Sequence, residues 1–141
     1  MREFEICANA TLQNEALCRM LVSGFLIPYH INEEELMEVK TIVSEAICNA
    51  IIHGSNSEVD SFIFRLCLIG NELKIEVQDF GEGIADLELA MTPLYTTLES
   101  EERSGMGFTI MKTFADDLKV ENKVGEGVTL HIWKVLSLNA E

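Results

Sequence analysis

The sequence comprises 141 residues, 48% of them hydrophobic and 24% charged, which predicts one compact domain over residues 1–141 and excludes disorder and fibrous repeats. Ten Lys and Arg residues against twenty-four Asp and Glu residues give a net charge of −14. Because a polyanion is repelled by a surface of that sign, we expect no direct contact with nucleic acid.

The apolar runs are too short to cross a bilayer, and the acidic start of the chain lacks the basic and apolar regions of a signal peptide. We therefore expect a cytoplasmic protein with no membrane contact. The cysteines show no Cys-x-x-Cys spacing, so we expect reduced, mostly buried thiols and no zinc site. They are Cys7, Cys18, Cys48 and Cys67.

The first predicted elements are a strand and two helices. Apolar and polar residues alternate over residues 4–8, as in a half-buried strand. Residues 14–27 carry apolar side chains at helical spacing and stop before Pro28. Asn32 is a good N-cap, and the three glutamates after it suit the positive end of a helix dipole. Residues 33–53 are therefore predicted to form one long helix.

The long helix has two different faces. One is an apolar stripe made of Leu36, Val39, Val43, Ala46, Ile47, Ala50 and Ile51. On the other side, Glu45, Asn49 and His53 follow one another a turn apart, so they can share one ligand. Ile42 and Ile52 flank this polar face, which suggests that something covers it. The alternative is a face that simply meets solvent.

Two hairpins and a short helix complete the predicted elements. Residues 59–69 and 72–79 alternate around one glycine-containing turn, and residues 117–124 and 128–136 around another. Residues 107–115 between the hairpins show helical spacing. This order of elements predicts an α/β fold, a two-layer sandwich in which a mixed, mainly antiparallel sheet carries helices on one face.

A carboxylate stands at the end of a predicted strand, at Asp79. The turn that follows contains Gly81 and Gly83, which would let a ligand approach the backbone closely. Asp79 could accept a hydrogen bond from the amino group of a purine. The alternative is a tight turn with a capping aspartate.

The segment Arg103-Ser104-Gly105-Met106-Gly107 leads into the predicted short helix. Its glycines, its backbone N–H groups and the positive end of the helix dipole could bind phosphates, and Arg103 supplies a cation beside them. An ordinary loop is the alternative. No Walker motif and no protein-kinase catalytic loop occurs, so any nucleotide chemistry uses another framework.

Four segments follow one another along the chain. They are Glu45-x-x-x-Asn49-Ala50-x-x-His53-Gly54, Asp79-x-Gly81-x-Gly83, Arg103-Ser104-Gly105-Met106-Gly107 and Gly127-Val128-Thr129. In this order they resemble the boxes of the GHKL ATPases, a superfamily that includes gyrase, heat-shock chaperones, histidine kinases and mismatch-repair ATPases. Within it, the chain is most similar to the sporulation members of the anti-sigma family of protein-serine kinases, over nearly its whole length.

The resemblance implies a Bergerat-type site for ATP or ADP and Mg²⁺. Asn49 would bind Mg²⁺, Asp79 would read the adenine, and Gly81 and Gly83 would shape the turn beside it. Residues 92–107 would form a lid over the nucleotide. Further nucleotide contacts would come from Thr96, Thr97, Ser104, Gly105, Met106 and Gly107, and from Thr129 beside the adenine.

The resemblance also implies a reaction and partners. Glu45 would act as general base and Arg103 would reach the terminal phosphate, so that a serine of an anti-anti-sigma partner is phosphorylated. Glu45 and Asn49 are one turn apart, about 6 Å along the helix axis, which suits that chemistry. Such kinases are homodimers that also hold a sigma factor away from RNA polymerase. Arg19 would contact partners, the alternative being an exposed helix arginine.

Two other functions are compatible with the same motifs. A non-catalytic binding module could use nucleotide only as a latch while it sequesters a transcription factor, and the small size of the chain suits this alternative. A detached ATP-binding part of a histidine kinase would transfer phosphate to histidine. The sequence offers no helix that presents such a histidine in a dimerising hairpin.

Overall fold

The structure, a computed structural model, describes residues 1–52, 54, 60–81 and 107–138. In chain order, its strands and α-helices are β1 (Arg2–Asn9), α1 (Leu12–Leu26), α2 (Glu33–Ile52), β2 (Ser61–Ile69), β3 (Glu72–Asp79), α3 (Gly107–Phe114), β4 (Asp117–Lys123) and β5 (Gly127–Val135). A short 3₁₀ turn follows α1. No helix in these ranges is both long and apolar enough to span a membrane.

The strands form one sheet in the order β1-β2-β3-β5-β4. The expectation of a mainly antiparallel sheet is confirmed. Every neighbouring pair of described strands is antiparallel, so the described strands do not include the parallel pair that a mixed sheet would have. Gln78 near the end of β3 pairs with Thr129 near the start of β5. This register brings the end of one strand beside the beginning of the other.

The helices cover one face of the sheet, and the hydrophobic core lies between the two layers. Burial alternates along β2, β3 and β5, as expected for strands with one covered face. The largest buried side chains include Phe62, Phe64, Leu66, Leu73, Ile75 and Ile132 from the sheet and Leu26, Ile42, Ile47 and Met111 from the helices. The two-layer architecture expected from the sequence is therefore confirmed.

The other face of the sheet carries a ladder of charged side chains. Arg65 donates a hydrogen bond to Glu5 at 2.7 Å and pairs with Glu76 on the neighbouring strand. His131 Nε2 lies 2.9 Å from Glu121 Oε1, and this hydrogen bond is the main reason that the pKa of Glu121 is lowered. Opposite charges on adjacent strands favour this strand pairing.

The helix boundaries follow their caps. The side chain of Thr11 accepts a hydrogen bond from the Asn14 backbone N–H at 3.3 Å, so α1 begins two residues earlier than its apolar spacing predicted. The Asn32 side chain accepts one from the Glu35 N–H at 2.8 Å, which confirms Asn32 as the cap of α2. Both predicted hairpins and the predicted short helix are confirmed to within two residues.

Two predictions about burial are wrong. Ile42 has 0% of its surface exposed, because α2 packs against α1, α3 and the sheet and so buries a wider stripe than the one predicted. It therefore does not flank an exposed polar face. No disulfide bond joins the four cysteines, all of which lie in the described ranges, but only Cys18 is buried, and burial raises the pKa of its thiol to about 12. Cys7 is exposed on the polar face of the sheet, where β1 directs its odd-numbered residues.

Candidate functional site

The Asp79 side chain is buried at the end of β3, on the face of the sheet that carries the helices, with 7% of its surface exposed. Its Oδ1 accepts hydrogen bonds from the backbone N–H groups of Gly81 at 3.0 Å and Val128 at 3.2 Å. Burial raises the pKa of this carboxyl, and the two hydrogen bonds oppose the rise without cancelling it. The carboxylate is thus held in one orientation by the main chain.

The second oxygen of the Asp79 carboxylate has a different role. Among residues 1–52, 54, 60–81 and 107–138, no group donates a hydrogen bond to Oδ2. Buried polar atoms normally have a partner, so an oxygen in this position suits a hydrogen-bond donor on a ligand. An exocyclic amino group of a purine is such a donor.

Three glycines from different parts of the chain close around Asp79. A Cβ on Gly54 would lie 2.2 Å from Asp79 Cγ, and one on Gly81 would lie 2.3 Å from the Gly54 carbonyl oxygen. A Cβ on Gly127 would lie 2.3 Å from the Asp79 carbonyl oxygen, and its φ of +116° already favours glycine. We call Gly54, Asp79, Gly81, Gly127 and Val128 the Asp79 corner. Only bare backbone fits here, so the segments that carry these glycines pack directly against Asp79 and against one another.

The polar side of α2 leads towards this corner, because α2 ends at Ile52 and Gly54 follows shortly after. Glu45 and Asn49 lie one turn apart on α2, and both are half-buried. The carboxamide oxygen of Asn49 is a ligand type that Mg²⁺ accepts, and a carboxylate one turn away can serve as a base. The residues present therefore fit a nucleotide with its metal ion.

Arg19 on α1 and Glu45 on α2 line one groove of about 360 Å³. The Arg19 Nε lies 2.5 Å from Glu15 Oε2, and the Arg19 side chain remains 42% exposed. Glu15 itself is buried, with 8% exposed. The sequence assigned Arg19 and Glu45 to different tasks, whereas the structure places both in what we call the α1–α2 groove.

Helix α3 begins at Gly107, which is buried and is the described part of the predicted phosphate segment. The helix packs against α2, so its positive end lies on the same layer as Asn49. The other predicted residues lie outside the described ranges. They are His53, Gly83, Thr96, Thr97, Arg103, Ser104, Gly105 and Met106, together with the rest of the predicted lid from 92 to 106.

Thr129 lies on the opposite face of the sheet from the Asp79 carboxylate. It pairs with Gln78 and Glu121, and successive residues of a strand point to opposite faces. Val128 therefore occupies the position next to Asp79, through its backbone N–H. This placement does not favour contact between the Thr129 side chain and an adenine at Asp79, and the role assigned to Thr129 stays a prediction.

Sequence reasoning missed Gly54 and Val128 as parts of the corner. Gly54 ends the first of the four segments that carry the family resemblance, and no role in the site was assigned to it, whereas its backbone packs against the Asp79 carboxylate. Alternation along β5 contains the signal for Val128, because it assigns that residue to the helix-covered face. The contact itself joins residues 49 positions apart, which local spacing does not reveal.

Known structures with the same architecture define the fold. The chain superposes over its full length on the RsbU and RsbW domains of a Mycobacterium tuberculosis protein, with a TM-score of 0.70 and 17% identity, and covers 34% of that longer chain. It also matches the catalytic domain of the histidine kinase ThkA, with a TM-score of 0.59 and 16% identity, covering 96% of this chain and 97% of that one. The family model for the histidine kinase-like ATPase domain matches residues 8–134. The chain is therefore a histidine kinase-like ATPase domain.

Relatives with higher sequence identity show which family of these ATPase domains the chain belongs to. An anti-sigma F factor of Thermoanaerobacter sp. (strain X514) is 44% identical over 124 residues, which are 88% of this chain and 87% of the relative. One of Bacillus licheniformis is 43% identical over 136 residues, which are 96% of this chain and 93% of the relative. The chain belongs to the anti-sigma F factor family of histidine kinase-like ATPase domains.

Proposed function

We propose that this chain is a single ATP-binding domain that acts in the cytoplasm as an anti-sigma factor and an ATP-dependent serine kinase. As a homodimer it holds a sporulation sigma factor away from RNA polymerase, and it phosphorylates a serine of an anti-anti-sigma partner. Support comes from the family and from the names of the relatives, which are anti-sigma F factors. The state of the bound nucleotide decides which partner is held.

The nucleotide is recognised at its two ends by different elements. At the Asp79 corner, Oδ2 accepts a hydrogen bond from the adenine amino group, because Oδ1 is already engaged by two backbone N–H groups. Asn49 holds Mg²⁺ near the phosphates. The glycines and the positive end of α3 bind phosphate oxygens, through Ser104, Gly105, Met106 and Gly107. Thr96 and Thr97 contact the nucleotide from the lid, and Arg103 reaches the terminal phosphate.

The observation that carries the kinase proposal is that Glu45 opens onto the α1–α2 groove while Asn49 stands one turn further along the same helix. A partner in the groove can therefore place its serine between the base and the metal ligand. Bound ATP with Mg²⁺ supplies the phosphoryl group. Glu45 accepts the serine proton as the serine Oγ bonds to phosphorus and ADP leaves. Arg19 contacts the docked partner.

The test is phosphate transfer from labelled ATP to the anti-anti-sigma protein of the same organism. We expect the wild type to produce acid-stable phosphoserine, and Glu45→Gln to lower the rate by about 100-fold, within the usual range for loss of a general base. Glu34→Gln removes an exposed carboxylate from the first turn of α2 and is the matched control.

The possible results separate the competing functions. Transfer at the wild-type rate by Glu45→Gln would show that Glu45 is not the base. An acid-labile product would indicate a phosphohistidine and thus a different acceptor. No label on any partner, with sigma-factor binding intact, would favour the non-catalytic latch.

A further inference from the structure

Lys40 lines the same α1–α2 groove as Arg19 and Glu45, and the functions proposed above do not use it. It lies on α2 and is half-buried. Its side chain makes no ion pair or hydrogen bond with any residue in the part of the chain that the structure describes. The groove thus contains a partly enclosed ammonium group without a counter-ion there.

Arg19 and Lys40, the two cations that line the groove, differ in whether a carboxylate neutralises their charge. Arg19 is held at 2.5 Å by Glu15, and the buried carboxylate neutralises much of its charge. Lys40 has no such partner, although the carboxylates of Glu33 and Glu45 also line the groove. The chain has a net charge of −14 and so repels anions in general. An unneutralised cation in a groove therefore attracts an anion to that one place.

Lys40 differs from other cations in the described part of the chain, which are either paired with a carboxylate or exposed to solvent. Those on the polar face of the sheet mostly pair with carboxylates, as Arg65 and Lys74 do with Glu76. Lys119 has no ion pair among the described residues, but it is exposed on β4, on the polar face of the sheet. Lys40 therefore combines two properties, partial enclosure and lack of neutralisation, next to the proposed base.

We propose that Lys40 is a specificity-determining residue that binds a carboxylate of the partner close to the serine to be phosphorylated. This inference rests on the proposed kinase function. Lys40 and Glu45 are five residues apart, about 7.5 Å along the helix axis. An extended peptide covers about 3.3 Å per residue, so the carboxylate belongs to an Asp or Glu within about two residues of the acceptor serine.

The first test measures the association rate of the kinase with its anti-anti-sigma protein at several ionic strengths. We expect Lys40→Gln to reduce this rate about fivefold at low salt and to weaken its salt dependence, because steering by a charge is screened. Lys40→Arg keeps the charge and should restore the rate to within about twofold. Lys119→Gln removes the same charge elsewhere and should leave the rate unchanged. Thermal melting of each variant controls for folding.

The second test changes the partner. The acceptor serine is mapped by mass spectrometry, and the neighbouring Asp or Glu is replaced by Asn or Gln. We expect this change to slow association as much as Lys40→Gln does, and the two changes together to have no larger effect, since they remove the same interaction.

The outcomes distinguish this inference from the kinase proposal. Additive effects, an unchanged rate in Lys40→Gln, or an acceptor serine with no acidic residue within two positions would overturn the role of Lys40 and leave the kinase proposal intact. If the wild type neither binds nor phosphorylates the partner, both fall.

Discussion

The two oxygens of the Asp79 carboxylate perform separate tasks. Oδ1 is fixed by the backbone N–H groups of Gly81 and Val128, while Oδ2 accepts no hydrogen bond from the described residues. Gly54 leaves no space for the carboxylate to move sideways. A single buried side chain therefore joins three segments of the chain, and its second oxygen is the acceptor that the proposed adenine contact requires.

Asp79→Asn tests the second of these tasks. The amide oxygen can still accept the two backbone hydrogen bonds, but an NH₂ group replaces the Oδ2 acceptor and opposes the adenine amino group. We expect the Kd for ATP to rise at least about thirtyfold, equivalent to ~2 kcal/mol, with the fold retained. Titration calorimetry measures the affinity and circular dichroism the fold. An unchanged Kd would exclude Asp79 as the adenine acceptor.

The raised pKa of Asp79 also predicts how stability depends on pH. Since the folded pKa lies above the ordinary value of 3.8, the folded protein binds this proton more tightly than the unfolded chain. The carboxyl therefore stabilises the fold fully below pH 3.8, and the contribution is lost as pH rises through the folded pKa. We expect the free energy of unfolding of the wild type, relative to Asp79→Asn, to fall over that range. Urea titrations with both proteins would contradict this if the difference were independent of pH.

At the scale of elements, the end of α3 is fixed to β5 and α2 by the buried Lys134 and by the more exposed carboxylates Glu38 and Asp116. Lys134 is 7% exposed, and its Nζ donates to the Phe114 carbonyl at 2.7 Å and lies 2.9 Å from Glu38 Oε1. Asp116 just beyond the helix accepts a hydrogen bond from the Val135 N–H at 2.6 Å. These contacts set the direction of α3, whose other end begins at the proposed phosphate site.

Lys134→Met tests this connection between elements. The variant keeps the apolar stem but leaves the Phe114 carbonyl without its donor, and Glu38, at 32% exposure, recovers part of its hydration. We expect the free energy of unfolding to fall by about 1–2 kcal/mol. Urea denaturation measures it, with the exposed Lys119→Met as the control for loss of charge. Equal stability of wild type and Lys134→Met would mean that apolar packing alone holds α3.

For the whole molecule, the sequence predicted those features that local pattern determines. Alternation and helical spacing gave the two hairpins, the helices and the covered face of the sheet, because burial of one face imposes a period on the residues. The packing of Gly54 against Asp79 and the contact with Val128 depend on the strand order, which places distant segments together. Ile42 was misjudged for the same reason, since α1 and α3 widen the buried face of α2.

Nucleotide binding should stabilise the whole fold, because the proposed site draws on residues from α2, β3, α3 and β5. A ligand that binds only the folded state at 100 times its Kd raises the free energy of unfolding by about 2.7 kcal/mol. We expect ATP with Mg²⁺ to raise the melting temperature of the wild type, and a metal chelator or Asn49→Ala to remove most of the rise. In Asp79→Asn, with a Kd about thirtyfold higher, the same ATP concentration should raise the free energy of unfolding by only ~0.9 kcal/mol, so the shift in melting temperature should be about a third of that of the wild type. A wild-type melting temperature that is insensitive to ATP and ADP would refute the nucleotide site, whereas an equal shift in both proteins would place the nucleotide away from Asp79.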